Sequence, residues 1–372
     1  MSMLFEPVKI RNLVLRNRFV RSATGDGCAD RAAHITDRHL KMFAELADGG
    51  VGLIIMGITY VHPSGRISWT QSSIADDDCL PGLKRLTSTV HERGAKIAVQ
   101  LFHGGRESAK FLNGIGKIAK GPSVVEDDPY FSGAYSALTE EDIRELVAAF
   151  GDAAARAKEA GFDAVQLHGA HAYLLSQFLS PFSNQRTNGW GGSLEKRLRF
   201  HREVYQDIRR KAGPDFPVLS KLGVQDGFPG GLELAEGIKA ARLLADWGYD
   251  ALEISQGLRG RNFEGAEFKA KIDTLEKEAY FTDWAREIKK QVAVPVMAVG
   301  GFRTFSLAEG VVQKGQADFI ALCRPLLRQP NLVKRWEQGS RDRATCISCN
   351  ECLAALRRGE QTHCVYAERK MA

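Results

Sequence analysis

Along the chain, short apolar runs rich in β-branched residues alternate almost from end to end with longer stretches in which apolar and polar positions recur at helical spacing. That alternation is the pattern of a parallel sheet wrapped by crossover helices. The apolar runs predict strands at Phe19–Thr24, Val51–Tyr60, Lys96–His103, Ala164–His168, Val218–Leu222, Ala251–Ile254, Val294–Val299 and Asp318–Leu322. The amphipathic stretches predict helices at Asp37–Asp48, Pro81–Arg93, Glu140–Ala160, Leu194–Lys211, Leu232–Trp247, Thr282–Lys290, Ser306–Lys314 and Asn331–Gln338. Eight such βα units predict an α/β protein of the TIM (β/α)8 barrel class, typically about 250 residues, with the surplus spent on insertions. An open doubly wound sheet is the alternative, and the chain has no early glycine-rich dinucleotide fingerprint to favour it. The two longest insertions, Gly104–Leu138 and Ser255–Tyr280, follow the third and sixth strands and are expected over the C-terminal face. No linker divides the chain, so the barrel is expected over residues 1–340, with a short Cys-rich extension packed on it over 341–372.

Composition narrows the function classes. With 44% hydrophobic and 26% charged residues in 372, a sizeable core is affordable and a disordered chain is excluded. Lys and Arg number 51 against 45 Asp and Glu, for a net +6, but the basic residues are interspersed with acidic ones rather than gathered into a stripe, which argues against nucleic acid. The longest apolar stretches, such as Val51–Ile58, fall far short of the roughly 20 residues of a membrane span. The start, Met1–Leu15, interrupts its apolar residues with Glu6, Pro7, Lys9 and Arg11, unlike a secretory signal, so a cytoplasmic location is expected. Of the seven cysteines, Cys346, Cys349, Cys352 and Cys364 crowd the end of the chain, which reads as a metal site rather than a disulfide framework.

Several strand ends carry groups suited to chemistry. His168-Gly-Ala-His171-Ala-Tyr173 begins where the fourth strand ends; two imidazoles three residues apart can converge on one oxyanion, and the phenol can deliver a proton nearby. A metal-binding or buried structural His pair is the plainer alternative. Gln100, at the end of the third strand, offers a donor and an acceptor suited to the edge of a heteroaromatic ring, or is a solvated cap. Gly300-Gly301-Phe-Arg303 and Cys323-Arg324-Pro325 close the seventh and eighth strands, where barrels often bind phosphate. Lys221 on the fifth strand brings a positive charge to the middle of the face, to stabilise an anionic ring or to pair with a carboxylate. Arg259, Arg261, Lys269, Lys271 and Lys277 make the insertion after the sixth strand basic, which reads as a solvated surface loop or, less simply, as a site for an acidic substrate such as a CoA ester.

These residues resemble the old yellow enzyme family of FMN-dependent oxidoreductases over nearly the whole chain. The landmarks are Asn17-Arg18, Gly49 to Ile55, Gln100 to Arg106, Ala160 to Asp163, and the long stretch His168 to Phe200 with Phe178-Leu-Ser-Pro181, Asn184-Gln-Arg186 and Gly191-Gly-Ser193. The resemblance implies FMN at the barrel mouth. Ser22, Ala23 and Thr24 would line it through backbone groups, Gly57 would lie close, and Gln100 would bond the pyrimidine edge. Lys221 stands where many members have Arg, and Gly300, Gly301, Cys323 and Arg324 would hold the phosphate. His168 and His171 would grip a substrate carbonyl, with Tyr173 as the proton donor. Gly25, Ala172 and Asn188 stand where the family more often has Thr or Cys, Gly, and Asp. Cys28 lies three residues beyond the position at which some amine dehydrogenases tether FMN, so non-covalent flavin is expected.

The tail Cys346-Ile-Ser-Cys349-Asn-Glu-Cys352, with Cys364 further on, resembles the 4Fe-4S module that follows the barrel in 2,4-dienoyl-CoA reductase and trimethylamine dehydrogenase; zinc on four thiolates is the alternative. Those two relatives continue into further nucleotide-binding domains. Here a cluster is expected to exchange electrons with another protein, to work with directly bound NAD(P)H, or to be structural. The expected activity is NAD(P)H-dependent reduction of an α,β-unsaturated carbonyl compound, an ene-reductase. Its rivals are an amine or N-methyl dehydrogenase, which the resemblance associates with an aromatic residue in place of His168, and a flavin-free lyase or zinc-stapled binding protein. The substrate, the nicotinamide preference and homo-oligomerisation stay open.

Overall fold

The computed structural model describes residues 2–368, so the outermost ends of the expected barrel and extension, Met1 and residues 369–372, lie outside the described residues. Eight strands close into a parallel barrel: β1 Phe19–Arg21, β2 Leu53–Tyr60, β3 Lys96–Phe102, β4 Ala164–Gly169, β5 Val218–Gly223, β6 Ala251–Ser255, β7 Val296–Val299 and β8 Phe319–Leu322. Each pairs in parallel with its sequence neighbour, and β8 closes on β1 through Ile320 opposite Phe19. The expected TIM barrel is therefore observed, and the closed sheet leaves no edge exposed.

Two apolar cores follow from the strand alternation. One fills the barrel interior, with Val20, Leu53, Ile55, Ala98, Leu219 and Met297, and the larger lies between strands and helices. The N-terminal end of the barrel is capped by a hairpin, Val8–Ile10 with Leu13–Leu15, whose Ile10, Leu13 and Leu15 join the interior core. This hairpin is absent from the sequence reading, because its strands are three residues long and its charged Lys9 and Arg11 interrupt the apolar pattern.

Three features depart most from the expected pattern. β1 ends at Arg21 instead of Thr24, because residues 22–24 leave the ladder to line the barrel mouth. The single helix expected over Leu194–Lys211 is two, Leu194–Arg197 and Arg199–Ala212, meeting at Leu198. The insertion after β3 holds a small parallel pair, Ala119–Gly121 with Tyr135–Ala137, anchored by the buried Arg106–Asp128 ion pair at 2.5 Å. No helix among the described residues is long and apolar enough to cross a membrane.

Candidate active site

A cavity of about 850 Å3 opens at the C-terminal ends of the strands. Its floor is set by barrel register. Pairing places Gln100 beside Gln166, His168 beside Lys221, and Lys221 beside Glu253. Gln100 Nε2 donates to Gln166 Oε1 (2.7 Å), and Gln166 Nε2 donates to Glu253 Oε2 (2.9 Å). Glu253 Oε1 accepts from Ser22 Oγ (2.7 Å) and lies 3.1 Å from Lys221 Nζ, which also donates to Ser22 Oγ (2.9 Å). An ammonium has three N–H groups, so Lys221 keeps one for the cavity, and Gln100 keeps its carbonyl oxygen as an acceptor.

Glu253 and Gln166 were missed by the sequence reading. The signal was present: each is a polar residue inside a short strand buried along its whole length, and such a group requires a partner.

The wall above β4 carries the imidazoles and the phenol. The ring centroids of His168 and His171, and of His168 and Tyr173, are each 4.9 Å apart, and Tyr173 packs edge-on against Phe102 at 4.5 Å. His171 and Ala172 both adopt left-handed backbone, φ 60° and 65°, a turn that lifts Tyr173 back over the cavity. His171 Nε2 is 2.8 Å from Ser255 Oγ, and its Nδ1 is 3.8 Å from Glu267 Oε1. His168 Nδ1 is buried without a protein partner. Burial lowers both histidines, His168 well below the usual value and His171 to about 3, so both are neutral. Burial likewise raises the Tyr173 phenol, which stays protonated.

In the insertion after β6, Arg259 alone of the five basic residues departs from the solvated loop expected of them. Arg259 lies half-buried in the cavity wall and forks onto Glu267 (Nε to Oε2 3.0 Å, Nη2 to Oε1 2.9 Å), with its guanidinium 5.7 Å from the Tyr173 ring centre. Glu107, 4.0 Å from Arg259 Nη1, has its carboxyl raised by burial. Arg261, Lys269, Lys271 and Lys277 are exposed. Glu267, largely shielded, supplies the counter-charge to Arg259, and the guanidinium in turn outweighs the effect of burial and holds that carboxyl down at about 2.

Across the cavity, Thr24 Oγ1 is 2.8 Å from Cys323 Sγ. Gly57 sits at an irregularity in the β2–β3 ladder, and a Cβ there would lie 1.9 Å from Thr24 O, so only glycine lets the backbones approach. Gly300 and Gly301 have φ 126° and 78°, and a Cβ on Gly301 would lie 2.8 Å from the Tyr280 ring. Arg303, grouped with these glycines in the sequence, is instead spent on the carbonyls of Ile272 and Ala344. Arg324 donates to Lys269 O at 2.8 Å and still lines the cavity with Cys323.

Cys346, Cys349, Cys352 and Cys364 surround one small cavity beside Arg324 and Arg328, and Cys352 also lines the large one. Among the described residues, the one group of three or more His, Cys, Asp or Glu ligand atoms mutually within 4.8 Å is Asp26, Cys28 and His39. The four C-terminal thiols are therefore spread wider than tetrahedral zinc needs, where Zn–S bonds of about 2.3 Å put sulfurs about 3.8 Å apart. The Asp26 group closes on itself: His39 Nδ1 accepts from Thr36 N (3.1 Å), and its Nε2 faces Ser72 Oγ and Asp26. Cys28 is buried outside the cavity wall, with its thiol raised by burial.

A family model described as the NADH:flavin oxidoreductase / NADH oxidase family matches residues 3–343. The chain is 35% identical over 357 residues to an NADH oxidase from Thermoanaerobacter brockii, covering 93% of this chain and 52% of that protein. It is 33% identical over 388 residues to a 4,4'-dithiodibutanoate disulfide reductase from Rhodococcus erythropolis, covering 97% and 94%. Among solved structures it is similar to 2-naphthoyl-CoA reductase in complex with 2-naphthoyl-CoA, with a TM-score of 0.89 at 29% identity, covering 97% of this chain and 56% of that one. The chain thus spans about half the length of two of these relatives and nearly all of the third.

Proposed function

The chain belongs to the NADH:flavin oxidoreductase / NADH oxidase family, the family of old yellow enzyme, and we propose that it binds FMN at the barrel mouth and uses NAD(P)H to reduce an activated carbon–carbon double bond. The observation that carries this reading is the buried, unpartnered Nδ1 of His168, beside the protonated phenol of Tyr173 in a cavity of flavin-and-substrate size. Bound FMN would supply the redox chemistry, taking hydride from reduced nicotinamide and giving it to the acceptor.

The residues fit the flavin. The one N–H left on Lys221 and the carbonyl left on Gln100 suit the donor and acceptor edge of a pyrimidine ring. Ser22, Ala23, Thr24 and Gly57 would line the ring, and the side-chain-free backbone of Gly300 and Gly301, with Cys323 and Arg324, would hold the phosphate. His168 is neutral, so it donates one hydrogen bond to a substrate oxygen and draws charge onto it without itself titrating. His171 shares that wall through Ser255, and Tyr173 delivers the proton to the carbon that hydride leaves electron-rich. His168 stands where the amine-dehydrogenase reading expects an aromatic residue, which favours the reductase.

We further propose that Cys346, Cys349, Cys352 and Cys364 hold a 4Fe-4S cluster, since all four thiols line one cavity and supply the four-cysteine ligand set such a cluster takes. Anaerobically purified protein should contain about four iron and four acid-labile sulfide per chain; stoichiometric zinc without sulfide overturns this assignment.

Stopped-flow measurement of the two half-reactions tests the activity. Tyr173→Phe should leave flavin reduction by NAD(P)H intact and slow alkene reduction by roughly 10²- to 10⁴-fold. His168→Ala should slow the same step by about 2.7–4 kcal/mol of barrier. Equal slowing of both half-reactions, or protein purified without flavin, overturns the reading.

A further inference from the structure

The segment that leaves the barrel turns back across its mouth and is tied down at both ends. On one side Arg324 Nη1 donates to Asn350 Oδ1 (2.5 Å), Asn350 Nδ2 donates to Phe268 O (3.0 Å), and Lys271 N donates to Ser348 O (3.2 Å). On the other, Thr362 N donates to Asp26 O and Thr362 Oγ1 to Gly25 O, both at 2.7 Å. The helix between these anchors, Glu351–Arg357, brings Leu353 and Leu356 to the cavity wall.

Leu356 occupies the space beside Gly25. A Cβ on Gly25 would lie 2.9 Å from Leu356 Cδ2 and 3.2 Å from Ile58 Cδ1. At the left-handed Gly27 it would lie 3.0 Å from Leu356 Cδ1 and 2.4 Å from Glu360 O. Contacts this short are repulsive, so a side chain at position 25 would push the Leu356 methyl group from its present place. Ile58 packs with Tyr173 against the Phe102 group, so this patch of wall belongs to the same end of the cavity as the proposed proton donor.

We propose that Leu356 is a specificity-determining residue of the substrate cavity. Its isobutyl group is delivered from the C-terminal strap into the space that a side chain in the loop after β1 would otherwise fill, and it sets the size of acceptor admitted beside Tyr173. A side chain at position 25 would compete with Leu356 for this space. The proposal rests on the reading of the cavity as the flavin and acceptor site.

Two measurements test it. In the first, 2-cyclohexenone, 3-methyl-2-cyclohexenone and 3-phenyl-2-cyclohexenone are reduced by the holoenzyme and by Leu356→Val, Leu356→Ala and Leu356→Phe. The ratio of kcat/KM for the phenyl to the unsubstituted compound should rise at least tenfold in Leu356→Ala, rise less in Leu356→Val and fall in Leu356→Phe. A ratio that stays flat across a series that binds flavin overturns the proposal. The second needs no flavin: limited proteolysis of the strap should be accelerated at least tenfold by Gly25→Val and return toward the parent rate in Gly25→Val with Leu356→Ala. Absence of reversal overturns the competition between the two positions. Protein that carries no FMN overturns the reading of the site instead, and the proteolysis pair still decides the contact.

Discussion

At the scale of single residues, the floor of the cavity is a closed ledger of hydrogen bonds around one carboxylate. Glu253 has no exposed side-chain surface and faces Ser22, Gln166 and Lys221 at once, so it fixes three groups that reach, directly or through Gln100, the cavity above. Removing it leaves the Lys221 ammonium buried without a counter-charge. Glu253→Ala is therefore expected to lose about 3–5 kcal/mol of stability in urea unfolding, whereas Lys221→Met with Glu253→Leu, which removes both charges, should lose far less. A double variant as unstable as the single one would contradict the pairing. Glu253 and Gln166 are legible in the sequence only as polar residues inside short buried strands, whereas Lys221 stands out directly and a carboxylate partner for it is expected as a type without a position.

Among the elements, the insertion after β3 is tied together by a buried ion pair beside a small apolar cluster of its own. Arg106 and Asp128 have side-chain exposures of 3% and 4%, and the guanidinium also lies 4.9 Å from the centre of the Phe131 ring. Around this pair the small parallel sheet forms, and the same insertion sends Lys110 and Phe111 to the cavity wall. Asp128→Ala strands a buried guanidinium, so a loss of about 3–5 kcal/mol is expected, together with faster amide exchange across residues 104–138 and little change in the barrel strands. Exchange that speeds uniformly over the whole chain would show that the insertion is not a separate unit of stability. The insertion after β6 follows the same principle, with Glu267 as the acid that pulls Arg259 inward.

Over the whole molecule, the buried histidines tie stability to pH. His103, His171 and His201 are each lowered to about 3 by burial, and neither nitrogen of His201 has a protein partner. Between that value and the unfolded pKa of about 6.5, the unfolded chain binds more protons than the folded one, so stability is fully present above pH 6.5 and is lost progressively as pH falls. The urea midpoint at pH 5 should accordingly lie below that at pH 7.5, and His201→Leu should narrow the gap. A gap unchanged by His201→Leu would mean that this ring does not contribute to the acid loss.

The sequence by itself determined the architecture of this protein. Period-two and period-3.6 patterning over eight units is a local property repeated along the chain, and strand ends then mark the chemical face without further information. His168, Tyr173, Gln100, Lys221 and the glycine pair were legible as candidate cavity-lining residues for that reason, since each lies in the C-terminal half of a strand or just beyond it. Only the tertiary structure decided how these groups are partnered. Barrel register joins Lys221 to Glu253 across two strands, a loop that reads as solvated turns Arg259 inward, and Arg303 is withdrawn to hold carbonyls far along the chain. The strap is the plainest case: Leu356 and Gly25 are separated by most of the chain, and nothing local to either says that one fills the space of the other. Side-chain partnership across such distances is fixed by packing and register, which depend on the closed fold rather than on any run of neighbouring residues.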